Sequence, residues 1–134
     1  MSKQKKIRLQ RMIGQVGDVA FELRSLHFSD YCRLGSWVPA VNAYRYENRF
    51  ELAVDLAGVE LRDIEVTVES RRIIIKGERV SPTPPIDEPA QVLAMEIENG
   101  PFCRQLTLAE PVNVAQATTR FENGLLWVEL PFEE

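Results

Sequence analysis

The segment FENGLLWVELP, Phe121 to Pro131, constrains the fold more than any other stretch. Asn123 and Gly124 both tolerate positive φ, which makes the pair a tight-turn dipeptide. Beyond it Leu126, Val128 and Leu130 alternate with Leu125, Trp127 and Glu129, the period of a strand with one buried face. The same alternation recurs upstream. Phe50, Leu52, Val54 and Leu56 alternate with Glu51, Ala53 and Asp55, and Ile64, Val66 and Val68 with Glu65, Thr67 and Glu69. A polar turn at Ser70-Arg71 leads into Ile73-Ile74-Ile75, which stops near Gly77, and Phe102, Leu106 and Leu108 repeat the pattern. Repeated half-buried strands of this kind predict an antiparallel β-sandwich. Arg104 shares the parity of the last apolar set, so it projects toward a buried face. There it needs a carboxylate or carbonyl partner, or an interface that supplies one.

Residues 1–38 read differently, as an arm preceding a domain that begins at Pro39 and runs to residue 134. Leu9, Met12, Val16, Val19, Leu23 and Leu26 fall at alternating spacings of three and four, a helical stripe. Gly14 and Gly17 weaken that helix by about 1 kcal/mol each relative to Ala. Ile13, Phe21 and Phe28 lie off the stripe, so a partly helical arm would show apolar surface on more than one side. The arm carries seven Lys/Arg against three Asp/Glu, whereas residues 39–134 carry nine against seventeen. A short basic head can touch nucleic acid or anionic lipid. No aromatic interleaving or nucleic-acid motif accompanies it here, so neither nucleic acid nor membrane is expected as a partner.

Between Val80 and Gln91 the sequence SPTPPIDEPAQ holds four of the eight prolines. It cannot form central sheet and is long for a hairpin, so a loop is expected at about 80–100. Val92 to Ile97 has enough apolar character for a short strand carried on that loop. A strand tethered in this way can complete a neighbour's sheet edge, and two-fold symmetry follows naturally.

Several function classes lack support. No apolar run approaches the ~20 residues of a membrane span, and charged Asp18, Glu22 and Arg24 interrupt any secretory h-region. Cys32 and Cys103 fit no zinc or redox spacing and read as two reduced thiols of a cytoplasmic protein. His27 has no second His or Cys nearby. No triad, phosphate loop, metal cluster or carboxylate pair marks an enzyme or a cofactor site, and Asp87-Glu88 reads as solvated.

From about Val38 to Pro131 the sequence resembles the α-crystallin domain of small heat-shock proteins, the Hsp20 family. VPAVNAYRYENRFELAVDLAGVELRDIEV is similar to the family's opening, with its Asp-Leu-x-Gly-Val segment at Asp55 to Val59. Lys76-Gly77-Glu78-Arg79 looks like the end of the following hairpin, GPFCRQLTL like the family's Gly-x-Phe-x-Arg strand, and Asn123-Gly124-Leu125-Leu126 matches its Asn-Gly-x-Leu signature. The order and spacing together are specific. Three departures stand out: the turn at Ser70-Arg71 lacks the frequent Gly, Thr119 stands where Ala is common, and no Ile-x-Ile tail follows Phe132-Glu133-Glu134.

The resemblance implies an all-β, immunoglobulin-like sandwich and a homodimer made by exchanging the loop strand, with Val92, Leu93, Met95, Ile97 and Arg104 at the interface. It also implies an ATP-independent holdase that binds partly unfolded proteins. Client contacts are expected on the arm, at Ile13, Val16, Val19, Phe21, Leu23, Leu26 and Phe28. A second expected surface is a groove between the strand at Ile64–Val68 and the strand near Phe121, lined by Ile64, Val66, Val68 and Phe121. The absent tail leaves the size of any higher oligomer open. Ile7 and Leu9 of the head have the apolar-x-apolar spacing of that tail motif and, if extended, would point to one side as a groove filler. The competing reading is an adaptor for one dedicated partner, like the related CS/p23 sandwiches; the Asn-Gly-x-Leu signature and the strand-bearing loop speak against it.

Overall fold

A computed structural model of the chain describes residues 4–8, 37–84 and 87–134. The expected arm helix, with the client-contact residues Ile13 to Phe28 and with Leu9, lies outside the described residues. Eight strands are present among those described: β1 Gln4–Arg8, β2 Val41–Arg45, β3 Arg49–Asp55, β4 Ile64–Glu69, β5 Arg72–Arg79, β6 Gly100–Thr107, β7 Thr118–Glu122 and β8 Leu125–Pro131. They make two four-stranded sheets, β1-β4-β5-β6 and β2-β3-β8-β7. Every neighbouring pair is antiparallel.

Burial follows the parity of the strands. Phe50, Leu52 and Val54 of β3 and Leu126, Val128 and Leu130 of β8 share one core with Val66, Val68, Ile73, Ile75, Phe102 and Leu106 of the other sheet. Each such side chain, fully withdrawn from water, contributes about 1.5–3 kcal/mol. Trp37 closes one end of the core edge-on against Phe102, with centroids 5.3 Å apart, and Phe132 meets Phe50 in the same manner at 4.8 Å.

One row departs from simple alternation. Thr67, Ile74 and Gln105 are cross-strand neighbours on the face turned away from the core, yet all three are buried. Cys103 lies beside them, packed against Ile74.

Two glycines have a clear geometric cause. In the β7–β8 turn Asn123 has φ 53° and Gly124 φ 75°, the left-handed conformation that a two-residue hairpin requires. Gly77 sits opposite Ile64 in the β4–β5 pair. A Cβ there would lie 1.9 Å from the Asp63 carbonyl oxygen and 2.8 Å from the Phe102 ring. The 3₁₀ turn Leu61–Asp63, which delivers the chain into β4, can therefore approach β5 only over a residue without a side chain.

The loop after β5 leaves from a clamped base. Arg79 donates to the carbonyl oxygens of Glu98 and Ala57, and its guanidinium lies 3.9 Å from the centroid of Trp37. Trp37 in turn donates its indole N–H to Gly100, 2.8 Å away. The described part of the loop contains no strand. The short strand expected over Val92–Ile97 does not form within the single chain, where the segment lies exposed and outside both sheets.

Two outcomes follow from this packing. Gly77→Ala should lower unfolding stability by about 1–3 kcal/mol through overpacking, read from the urea midpoint. Arg79→Ala should cost about 1–2 kcal/mol from the lost carbonyl and ring contacts and should speed amide exchange at residues 98–100 while leaving β3 and β8 unchanged.

Candidate functional site

Where the two sheets part, the edge of β4 in one sheet faces the β7 side of the other. From β4, Ile64, Val66 and Val68 turn inward and are buried. From β7, Phe121 opposite Leu126 and Thr119 opposite Val128 turn inward. Thr119 is buried, and Phe121 packs partly buried against the core. The four residues expected to line a groove thus share one apolar cluster. Ile64, Val66 and Val68 are wholly enclosed, and Phe121 keeps some exposure.

The enclosure is completed by β1. It pairs antiparallel with β4, Gln4 opposite Glu69, Lys5 opposite Val68 and Ile7 opposite Val66. Ile7 is half-buried and packs against the main core. Lys5 has the same parity as Ile7, and its ammonium donates to the carbonyl oxygens of Ala115 and Ala117, at 3.2 and 2.9 Å. These carbonyls sit at the end of the 3₁₀ turn Val114–Gln116, where backbone acceptors lack an intrahelical donor and attract a cation. Among the described residues of the head the inward pair is Lys5 and Ile7; Leu9, the other residue of the expected filler, lies outside them. An apolar-x-apolar template passes over Lys5, whose carbonyl partners lie more than a hundred residues away in sequence. On the outer side Gln4 donates its amide to Glu69. The Arg72 guanidinium hydrogen-bonded to Glu69 holds that carboxyl below the usual carboxylate range, against the opposing effect of burial and with help from Gln4.

A second feature lies on the other sheet. β2 is bonded to β3 alone, so its other edge is open among the described strands. Next to its start, Arg104 donates to the Pro39 carbonyl oxygen at 2.7 Å, a carbonyl acceptor of the kind an inward-facing arginine requires. Burial pushes this guanidinium's pKa down. The loop meanwhile presents Val92, Leu93, Met95 and Ile97 at 67%, 88%, 68% and 60% exposure. Together with Pro82 and Pro84 they line a hollow of about 530 Å³. Exposed apolar residues scattered singly are ordinary, but a contiguous set marks an interaction surface.

Among the described residues no group of three or more His, Cys, Asp or Glu side chains is placed to hold a metal ion, and no helix is long and apolar enough to cross a membrane. What the arrangement offers is strand edges and apolar surface.

Comparison with known proteins agrees with this geometry. Residues 42–134 match the model of the Hsp20/alpha crystallin family. The chain is 32% identical over 93 residues to a probable 15 kDa heat shock protein of Leptospira interrogans, covering 69% of this chain and 68% of that protein. It is 35% identical over 91 residues to small heat shock protein IbpB of Salmonella typhi, covering 66% and 58%. It is 27% identical over 97 residues to the 18 kDa antigen of Mycobacterium leprae, covering 72% and 63%. The matched regions thus span roughly three-fifths to two-thirds of these relatives. Among solved structures, heat shock protein 16.0 from Schizosaccharomyces pombe superposes with a TM-score of 0.67 at 26% identity, covering 74% of this chain and 90% of that one. The hspA protein of Xanthomonas axonopodis gives 0.64 at 29%, covering 74% and 97%. With a two-sheet sandwich, a matching family model and small heat shock relatives in agreement, the chain belongs to the Hsp20/alpha crystallin family.

Proposed function

We propose that this chain is an ATP-independent holdase that binds partly unfolded proteins and keeps them from aggregating. The observation that carries the reading is the pairing of an apolar groove, closed by a single short edge strand, with a loop that exposes four large apolar side chains. Unfolding proteins expose apolar segments with unpaired backbone groups. A strand edge flanked by apolar side chains meets both needs, hydrogen bonds for the backbone and dry surface for alternate side chains. The acidic body, with its excess of Asp and Glu, keeps such a surface soluble. The chemistry is non-covalent, in keeping with a family of chaperones rather than enzymes.

The unit that does this is a homodimer in which each loop lays its Val92–Ile97 segment along the open β2 edge of its partner, near Arg104. Burying such side chains contributes about 1.5–3 kcal/mol each, and two-fold symmetry doubles the number. The same exchange removes two open edges from solvent. Assembly beyond the dimer is consistent with a small heat-shock protein from Xylella fastidiosa, described as having a distinct high order structure, which is 28% identical.

In a light-scattering assay of a heated model client, the protein should suppress aggregation near a one-to-one ratio without nucleotide; unchanged curves at excess protein would contradict the holdase. Introducing Met95→Asp and Ile97→Asp together should convert the dimer to monomer in native mass spectrometry without lowering monomer β-content. A dimer that survives both changes would place the interface elsewhere.

A further inference from the structure

The β1-β4-β5-β6 sheet is buried at the centre of both its faces, although the second sheet packs on only one of them. Two outward rows cross β4, β5 and β6 in register: Thr67, Ile74 and Gln105 in one, Glu65, Lys76 and Cys103 in the next. Thr67, Cys103 and Gln105 are buried, and Ile74 is only 8% exposed. Ile74 and Cys103 form an apolar cluster of their own, apart from the main core. An antiparallel sheet with one face in water keeps that face solvated. The outward face of the other sheet follows this rule: Tyr44 is exposed, and Glu51, Trp127 and Glu129 are half-buried beside a buried Ala53.

The path of the chain points to what lies over the first sheet. β1 ends at Arg8, opposite Glu65, at one edge of that sheet. Trp37 bridges to Phe102 along the free side of β6, the opposite edge. Neighbouring strands lie about 4.8 Å apart, which separates the two points by about 19 Å, a distance that about six extended residues span. Residues 9–36 join them with chain to spare, and the inner face is closed by the core. This segment carries Leu9, Met12, Val16, Val19, Leu23 and Leu26 at helical spacing, an apolar stripe of the kind that packs on a sheet.

We propose that the outward face of β4, β5 and β6 is a docking surface for residues 9–36 of the same chain, whose apolar stripe lies over Ile74 and Cys103. The inference goes beyond the holdase reading and stands on the fold alone. Cys32 comes shortly before Trp37, and Cys103 directly follows Phe102, so the bridge between Trp37 and Phe102 tethers the two cysteines of the chain to one place. Where the holdase reading holds, an unfolded client that takes the apolar residues of the arm competes with this face for them.

The test uses the full-length protein with Cys32→Ser, which leaves Cys103 as its single thiol, and iodoacetamide as the probe. Alkylation of Cys103 should be slow and independent of protein concentration. Adding Val16→Asp and Val19→Asp should speed it about tenfold or more while hydrogen exchange of β3 and β8 stays unchanged. In the native chain, diamide should join Cys32 to Cys103 within one chain, the two thiols giving up two electrons and two protons to the N=N bond of the oxidant. Cys103 that reacts in the C32S protein as fast as a free thiol, or no faster once the aspartates are present, would overturn the proposal. So would a rate that rises on dilution, which would mean that a second copy covers the face, or diamide products that are interchain alone. Opening of β3 and β8 by the arm aspartates would also overturn it, since a segment docked outside the core leaves the sandwich intact. The aggregation assay is a separate readout: it can fail while the arm stays docked, and the reverse.

Discussion

The edge of β4 is the point on which the molecule turns. Stacking two sheets buries one face of each, and Trp37 and Phe132 pack onto the core between them. The sides of the stack are another matter, because a strand with apolar inward residues and unpaired backbone groups cannot be left open to water. Val66 and Val68 sit on such a strand; both are fully buried, and β1 pairs along its edge. A segment of five residues, β1, covers that edge.

The second sheet faces the same constraint with a different solution. β2 has no neighbour beyond β3 among the described strands, and the loop that carries Val92 to Ile97 stands away from its own body. Its base is not loose, however. Arg79 ties Glu98 and Ala57 together and stacks on Trp37, which itself holds Gly100. A fixed base with an apolar, strandless tip suits a segment that completes an edge in a second copy. In the proposed holdase one edge is closed from within the chain and the other from a partner, and both kinds of closure are reversible contacts rather than reactions.

Much of this was legible in the residues. Alternation identified the inward faces of β3, β4 and β8, Asn123-Gly124 marked the turn whose left-handed φ values the structure contains, and the parity of Arg104 called for a carboxylate, a carbonyl or an interface, of which Pro39 supplies a carbonyl. The features that escaped depend on approach between segments distant in sequence. Gly77 reads as a strand end until the Asp63 carbonyl is seen where its Cβ would be. Thr67, Ile74 and Gln105 look like solvent-side residues, yet they are buried on the outer face. Lys5 reads as one charge in a basic head, and only the register with Val68 brings it to the Ala115 and Ala117 carbonyls. The Val92–Ile97 segment has strand-like composition without strand structure, since pairing depends on an edge that composition does not encode.

The most direct test of a groove-and-edge chaperone is an amide and methyl NMR titration of the full chain with a permanently unfolded client. The account predicts that the client shifts or broadens Val66, Val68 and Phe121 and drives the β1 resonances toward those of a free strand. Client binding that leaves these residues and β1 untouched would contradict it.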